Sequence, residues 1–236
     1  MAHKQLNVDI DKVQSYLYNR FNDTIWQNKL RMFILSSEFK SILESLISEV
    51  ENDRRFTPQV KDVFNGIIQC PYEDLKLVVI GQDPYPQIGV ADGIAFSCSK
   101  GPGIQHSLRM INEAIKDDFP DYQEKTDLSV WSQQGILMLN TAFTTEIGKP
   151  GTHYAIWEPF MSYLLDHIAS AKPNLVYLFL GKKAQEWADS VGDNAIKIMT
   201  SHPASAAYTG NKWNHNNVFL KATEAVKERF DYTIKW

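Results

Sequence analysis

Phe39, Ile42, Leu43, Leu46, Ile47 and Val50 recur at the spacing of one helix face, and the first 65 residues read as helical. Thr57-Pro58 has the residue types of a helix N-cap and first position, which predicts a further short helix there. From residue 75 the pattern changes. Leu75–Ile80, Gly135–Leu139, Leu175–Leu180 and Ala195–Met199 are short, nearly unbroken apolar runs, as expected of strands buried on both faces. Helical spacing fills the intervals at 105–119, 156–171 and 182–189, and a last helix is predicted at 217–230. This alternation predicts an α/β fold with three αβα layers: a central four-stranded parallel sheet and an N-terminal helical layer. No repeat, low-complexity tract or Pro/Ser/Gly-rich linker interrupts the chain, so residues 1–236 read as a single domain.

Composition narrows the class. Hydrophobic residues make up 44% of the chain and charged residues 22%, enough for a packed core. No apolar run approaches the roughly 20 residues of a membrane span, and the polar stretch Met1–Lys12 does not resemble a secretory leader. Cys70 and Cys98 are too few for a disulfide framework or a four-cysteine metal site. They are expected as reduced, buried thiols in a cytoplasmic setting. The net charge of −4 argues against coating nucleic acid indiscriminately, though not against a local binding face. Residues 1–70 hold nine acids and nine bases, whereas six acids crowd between Glu113 and Asp127, so any DNA should bind away from that segment.

Ligands of an open parallel sheet bind outside the carboxyl ends of its strands. The segments there are Gly81–Pro86, Asn140–Thr144, Gly181–Lys183 and Thr200–Pro203, and three of the four carry a group suited to catalysis or base recognition. Taken singly, each has a plainer reading: Gly81–Pro86 as a structural turn, His202 as a structural histidine, Asn140 as a cap, Phe96 and Trp131 as core. Phosphate motifs fail inspection. Gly101-Pro-Gly103 is followed by His106 where a third glycine belongs, and Gly181-Lys182-Lys183 lacks the upstream glycine and the hydroxyl residue of a P-loop. There is no Gly-x-Ser-x-Gly elbow and no zinc-ligand spacing.

Together, four segments resemble the successive signatures of family-1 uracil-DNA glycosylase: Leu77-Val-Val-Ile-Gly-Gln-Asp-Pro-Tyr85, Gly93-Ile-Ala-Phe-Ser97, Asp127-Leu-Ser-Val-Trp-Ser-Gln-Gln-Gly-Ile-Leu-Met-Leu-Asn-Thr141 and Ser201-His-Pro203. The resemblance spans roughly residues 60 to 225, in the family's order. It implies hydrolysis of the bond between deoxyribose C1′ and uracil N1 in single- or double-stranded DNA, leaving an abasic site for base-excision repair. By matching position, Asp83 is the carboxylate that positions water and stabilises the cationic sugar, and His202 is the donor to uracil O2. Gln82, Tyr85, Phe96 and Asn140 match the uracil-binding residues: a backbone amide, the ring against C5, the stacking ring and the amide that reads the base edge. Ser107, Thr144 and Ser205 are candidate phosphate contacts, joined by Lys100, Lys149, Lys182, Lys183 and Lys212 if their loops face the same side. The resemblance implies no metal and no cofactor, a monomer, and susceptibility to a proteinaceous inhibitor.

The departures from the family pattern are specific. Pro86 stands where the family usually has histidine, which puts the positioning of water around Asp83 in question, and Asp92 stands at about the place of a second histidine. In His202-Pro-Ala-Ser-Ala-Ala-Tyr208, Ala206 and Ala207 fall near the family's duplex-wedging leucine. Small side chains there predict a preference for single-stranded substrate. These changes keep a second reading open, a catalytically weak DNA-binding subunit.

Overall fold

The computed structural model describes residues 7–205 and 212–236. Three helices come first: α1 (Ile10–Asn19), α2 (Ile25–Ile34) and α3 (Ser37–Glu51). Ser36 starts α3 by accepting the Phe39 N–H at 3.2 Å, and Phe39, Ile42, Leu43 and Leu46 form its buried face. A short strand β1 (Phe56–Thr57) and helix α4 (Asn65–Ile68) lead into the alternating part. That part runs β2 (Leu77–Gly81), α5 (His106–Asp118), α6 (Ser129–Ser132), β3 (Ile136–Asn140), β4 (Thr145–Glu146), α7 (Tyr154–Ala171), β5 (Val176–Leu180), α8 (Lys182–Gln185), β6 (Ile196–Thr200) and α9 (Val218–Phe230).

The main sheet is parallel, with strand order β3-β2-β5-β6. Alternate residues serve the two faces, as the pleat requires. Val78, Ile80, Leu137, Leu139, Tyr177 and Phe179 pack toward α1–α3 and α7, while Leu77, Val79, Met138, Val176 and Leu178 pack toward α5 and α9. From β2 the chain crosses to β3 on one side; from β5 it crosses to β6 on the other. The connections diverge between β2 and β5, and the carboxyl edge beside that divergence is where such folds open a crevice.

Three local expectations need correction. Thr57 does not cap a helix: it lies in β1, paired antiparallel with Thr145 of β4, and the nearby helix is one 3-10 turn, Val60–Asp62. Tertiary pairing has overridden the local cap signal. The segment predicted as one helix at 182–189 divides into α8 and a 3-10 turn, Ala188–Val191. Of the four strands, β6 is the one left largely uncovered: it is an edge strand, and whereas α4 and α6 cover the other edge, β3, its Ile196, Lys197 and Ile198 are half-buried and Met199 is exposed.

Candidate active site

Segments leaving β2, β3 and β6 converge on a cavity of about 470 Å³. Gln82, Asp83 and Tyr85 enter it from the loop after β2, Asn140 from the end of β3 and His202 from the turn after β6. Phe96 reaches it from the β2–α5 connection and Ser107 from the first turn of α5. Lys182 and Lys183, after β5, open α8 and do not line it.

Asp83 is held by the backbone of a distant loop: its Oδ2 accepts the Gly151 N–H at 2.6 Å. Burial disfavours the charged carboxylate and pushes its pKa up to about 6, while the Gly151 N–H and the Thr145 hydroxyl pull the other way. At neutral pH the group is therefore ionised. Pro86 also lines the cavity, and its carbonyl accepts the Gly148 N–H at 2.9 Å, so this position ties the Asp83 loop to the one that carries Gly151.

His202 has the complementary chemistry. Burial brings its pKa down to about 4, which leaves the imidazole neutral at pH 7. Its Nδ1 accepts the Ala204 N–H at 3.1 Å, so the neutral ring carries its proton on Nε2 and offers a donor. Gly181 packs under this ring. A Cβ there would lie 2.9 Å from His202 Cβ, and its φ of +102° is one that side chains rarely adopt.

Phe96 adopts a left-handed backbone, φ +64°, and its ring centroid lies 5.9 Å from that of His202. Two neighbours hold that conformation. The Tyr85 hydroxyl donates to the Phe96 carbonyl at 2.9 Å. Asp92, buried, clasps the same loop: Oδ1 accepts Ile94 N–H at 3.1 Å, and Oδ2 accepts Ser97 Oγ at 2.6 Å, Ser99 Oγ at 2.6 Å and Ser99 N–H at 3.0 Å. Four donors on one carboxylate compensate its burial. Asp92→Asn turns an amide nitrogen toward those donors. It is expected to lower unfolding stability by about 2–4 kcal/mol in urea titrations. A loss under about 1 kcal/mol would show that the clasp holds nothing.

The candidate phosphate contacts separate. Ser107, in the first turn of α5, and Ser205 both line the cavity. Thr144 does not, and that expectation is corrected: it is fully buried, with its hydroxyl 2.7 Å from the Trp157 indole N–H and 2.8 Å from His153 Nδ1, so it is unavailable to a phosphate. Ala206 and Ala207 lie outside the described residues. Of the loop lysines, Lys100 pairs with Asp62, Lys149 with Glu146, Lys183 with Glu186 and Lys212 with Asp117. Gly151, Thr145 and the role of Asp92 were not anticipated. Gly151 acts through its backbone N–H, which no side-chain pattern signals. The plainer reading of Gly81–Pro86 as a turn misses that Gly81 serves as a floor: a Cβ there would meet the Phe96 ring and the Asn140 amide. A glycine ending an apolar strand is the signal that could have found it.

Among the described residues no group of three or more His, Cys, Asp or Glu side chains could hold a metal ion, and no helix is long and apolar enough to cross a membrane. The sequence profile of the uracil DNA glycosylase superfamily matches residues 68–227. The uracil-DNA glycosylase of Mesomycoplasma hyopneumoniae is 35% identical over 201 residues, covering 84% of this chain and 90% of that protein. That of Acinetobacter baylyi is 29% identical over 217 residues, covering 91% and 92%. Among solved structures, a mimivirus UNG variant in complex with UGI has a TM-score of 0.80 at 26% identity, covering 89% of this chain and 87% of that one. Mimivirus uracil-DNA glycosylase has a TM-score of 0.80 at 24% identity, covering 97% and 89%. With the profile matching most of its length and a relative at 35% identity, the chain belongs to the uracil DNA glycosylase superfamily.

Proposed function

We propose that Asp83 and His202 carry out uracil excision from DNA in the manner of family-1 enzymes, on a deoxyuridine flipped into the cavity. The observation that carries this reading is the pairing of Asp83 and His202 in one cavity, with His202 Nδ1 occupied by the Ala204 N–H so that Nε2 is the nitrogen left to donate. When the C1′–N1 bond breaks, its electron pair leaves with the base and positive charge develops on the sugar. His202 donates to uracil O2, where negative charge collects, and Asp83 faces the cationic sugar. Water adds to C1′ and its proton passes to the carboxylate, giving an abasic site and the uracil anion; proton exchange through solvent then returns Asp83 to its carboxylate and leaves neutral uracil. Phe96 replaces stacking lost on flipping. Tyr85 stands where a C5 methyl would enter, and Asn140 donates to O4 and accepts from N3–H. Ser107 and Ser205 are the remaining phosphate contacts. One copy of the chain supplies all these groups, which supports action as a single-domain monomer. The two buried free thiols fit a cytoplasmic setting. The likeness to an enzyme solved with UGI supports susceptibility to a protein inhibitor.

Incubation with a uracil-containing single-stranded oligonucleotide, followed by alkaline cleavage, should give strand breaks that an Asp83→Asn control does not. Breaks no more frequent than the control's would leave the DNA-binding-subunit reading in place. Specificity gives a sharper outcome. Asn140→Asp can accept from the cytosine N4 amino group, so it should lose about tenfold or more in uracil excision and gain detectable cytosine release. Native uracil rates in that variant would remove Asn140 from base recognition.

A further inference from the structure

The uracil pocket shares a wall with a second cavity of about 530 Å³. Ala91 lines both; Pro86 and Gln87 line the first, and Ile88 and Gly89 the second. On the facing segment Lys61 and Asp62 line the second cavity and Val63 the first. A strand passing over the 86–91 loop would thus run directly from one cavity into the other.

The lining suits a nucleotide. Phe56, Val60, Ile88 and Ile147 supply apolar surface, and Ile88 is 76% exposed and Val60 38%. Exposed apolar side chains are ordinary when scattered. Here two of them face one concavity. Arg55, Lys61 and Lys100 also line it against one acid, Asp62, which pairs with Lys100 at 2.7 Å. A local excess of positive charge on a chain of net charge −4 complements a polyanion.

We propose that this second cavity is the subsite for the nucleotide adjacent to the flipped uracil on single-stranded DNA. Its base rests on Ile88 and Val60, and its phosphate is met by Lys61. The proposal rests on the uracil reading of the first cavity. Apolar contact of this kind accepts any base, so the subsite adds affinity without sequence preference.

The test uses steady-state excision from short single-stranded oligonucleotides. One series keeps both neighbours of uracil; two others replace the 5′ or the 3′ neighbour with an abasic spacer. For the native protein, one of the two replacements should raise KM about five- to tenfold with kcat within about twofold. Ile88→Ser, a change at an exposed position, should raise KM similarly on the intact substrate and have no further effect on that spacer substrate. Lys61→Gln should reduce the slope of log KM against log salt by about 0.7, the value of one single-strand phosphate contact. Native excision with a KM indifferent to both neighbours overturns the subsite alone, as does an Ile88→Ser loss equal on all substrates; a cavity that takes a protein partner instead would give the first of these. Absence of excision from every substrate overturns the uracil pocket, and the subsite with it.

Discussion

Asp83→Asn should abolish excision and at the same time stabilise the protein at pH 8. The activity loss is expected to be on the order of a thousandfold in kcat, because the substitution removes the negative charge opposite the developing sugar cation. The stability gain follows from what burial does to this carboxyl group, raising its pKa from 3.8 to about 6. Above pH 6 the group is charged in both folded and unfolded chains, and the folded chain bears the desolvation. Conversion at about 1.4 kcal/mol per pH unit gives roughly 3 kcal/mol. The asparagine carries no charge but holds the Gly151 N–H less well, so a gain of about 1–3 kcal/mol is expected. As pH falls through 6 the native group takes up its proton on folding and the gain shrinks. Below about 4 both chains carry a neutral group and the gain is gone. Urea unfolding of the two proteins at pH 8 and at pH 4 measures it, and equal stability at pH 8 would contradict the burial argument. In the proposed role of Asp83 the same ionisation governs catalysis: kcat/KM of the native protein should fall as pH drops through about 6. His202, titrating near 4, adds a further loss only below that.

The parallel sheet was legible because strands buried on both faces leave unbroken apolar runs. β2, β3 and β5 begin and end within two residues of those runs. β6 was legible as a strand but not as an edge, since Ile196, Ile198 and Met199 look the same whether covered or half-covered. Thr57-Pro58 misled because local cap chemistry says nothing of β4, whose Thr145 pairs with Thr57 across the intervening chain. The site divides along the same line. Asp83, Asn140 and His202 could be singled out because each stands at a strand's carboxyl end, and the fold then brings them to one cavity. Thr144 looked equivalent by position and residue type, yet hydroxyl chemistry does not reveal burial, and its partners Trp157 and His153 come from the start of α7. Asp92 stood out only as a departure from the family. Its function depends on Ser97 and Ser99 folding back onto it, a contact no periodicity encodes.

Gly81→Ala should disable the site by one methyl group while leaving the fold in place. Gly81 is the last residue of β2, paired in register with Asn140. A Cβ at this position would lie 2.7 Å from Phe96 Cζ, 2.8 Å from Phe96 Cε2 and 2.9 Å from Asn140 Oδ1. All three atoms belong to side chains that line the cavity, so the strain falls on the site and not on the sheet. The Phe96 ring cannot relieve it by shifting its loop, because Tyr85 holds the Phe96 carbonyl and Asp92 clasps the backbone on both sides. The ring must rotate, or Asn140 must swing away, and either movement misplaces a group that the proposed function sets against uracil. Displacements near 1 Å in such sites lower rates by about a hundredfold, and kcat/KM is expected to fall by that factor. Overpacking of this kind costs about 1–3 kcal/mol, so the variant should still unfold cooperatively. Substitution of Phe96 by leucine in the Gly81→Ala background frees the space the ring occupied, and it should restore part of the lost kcat/KM even though leucine stacks less well. A Gly81→Ala enzyme within about threefold of native kcat/KM would mean that the pocket floor yields, and that Phe96 and Asn140 are held less firmly than their hydrogen-bonded frame implies.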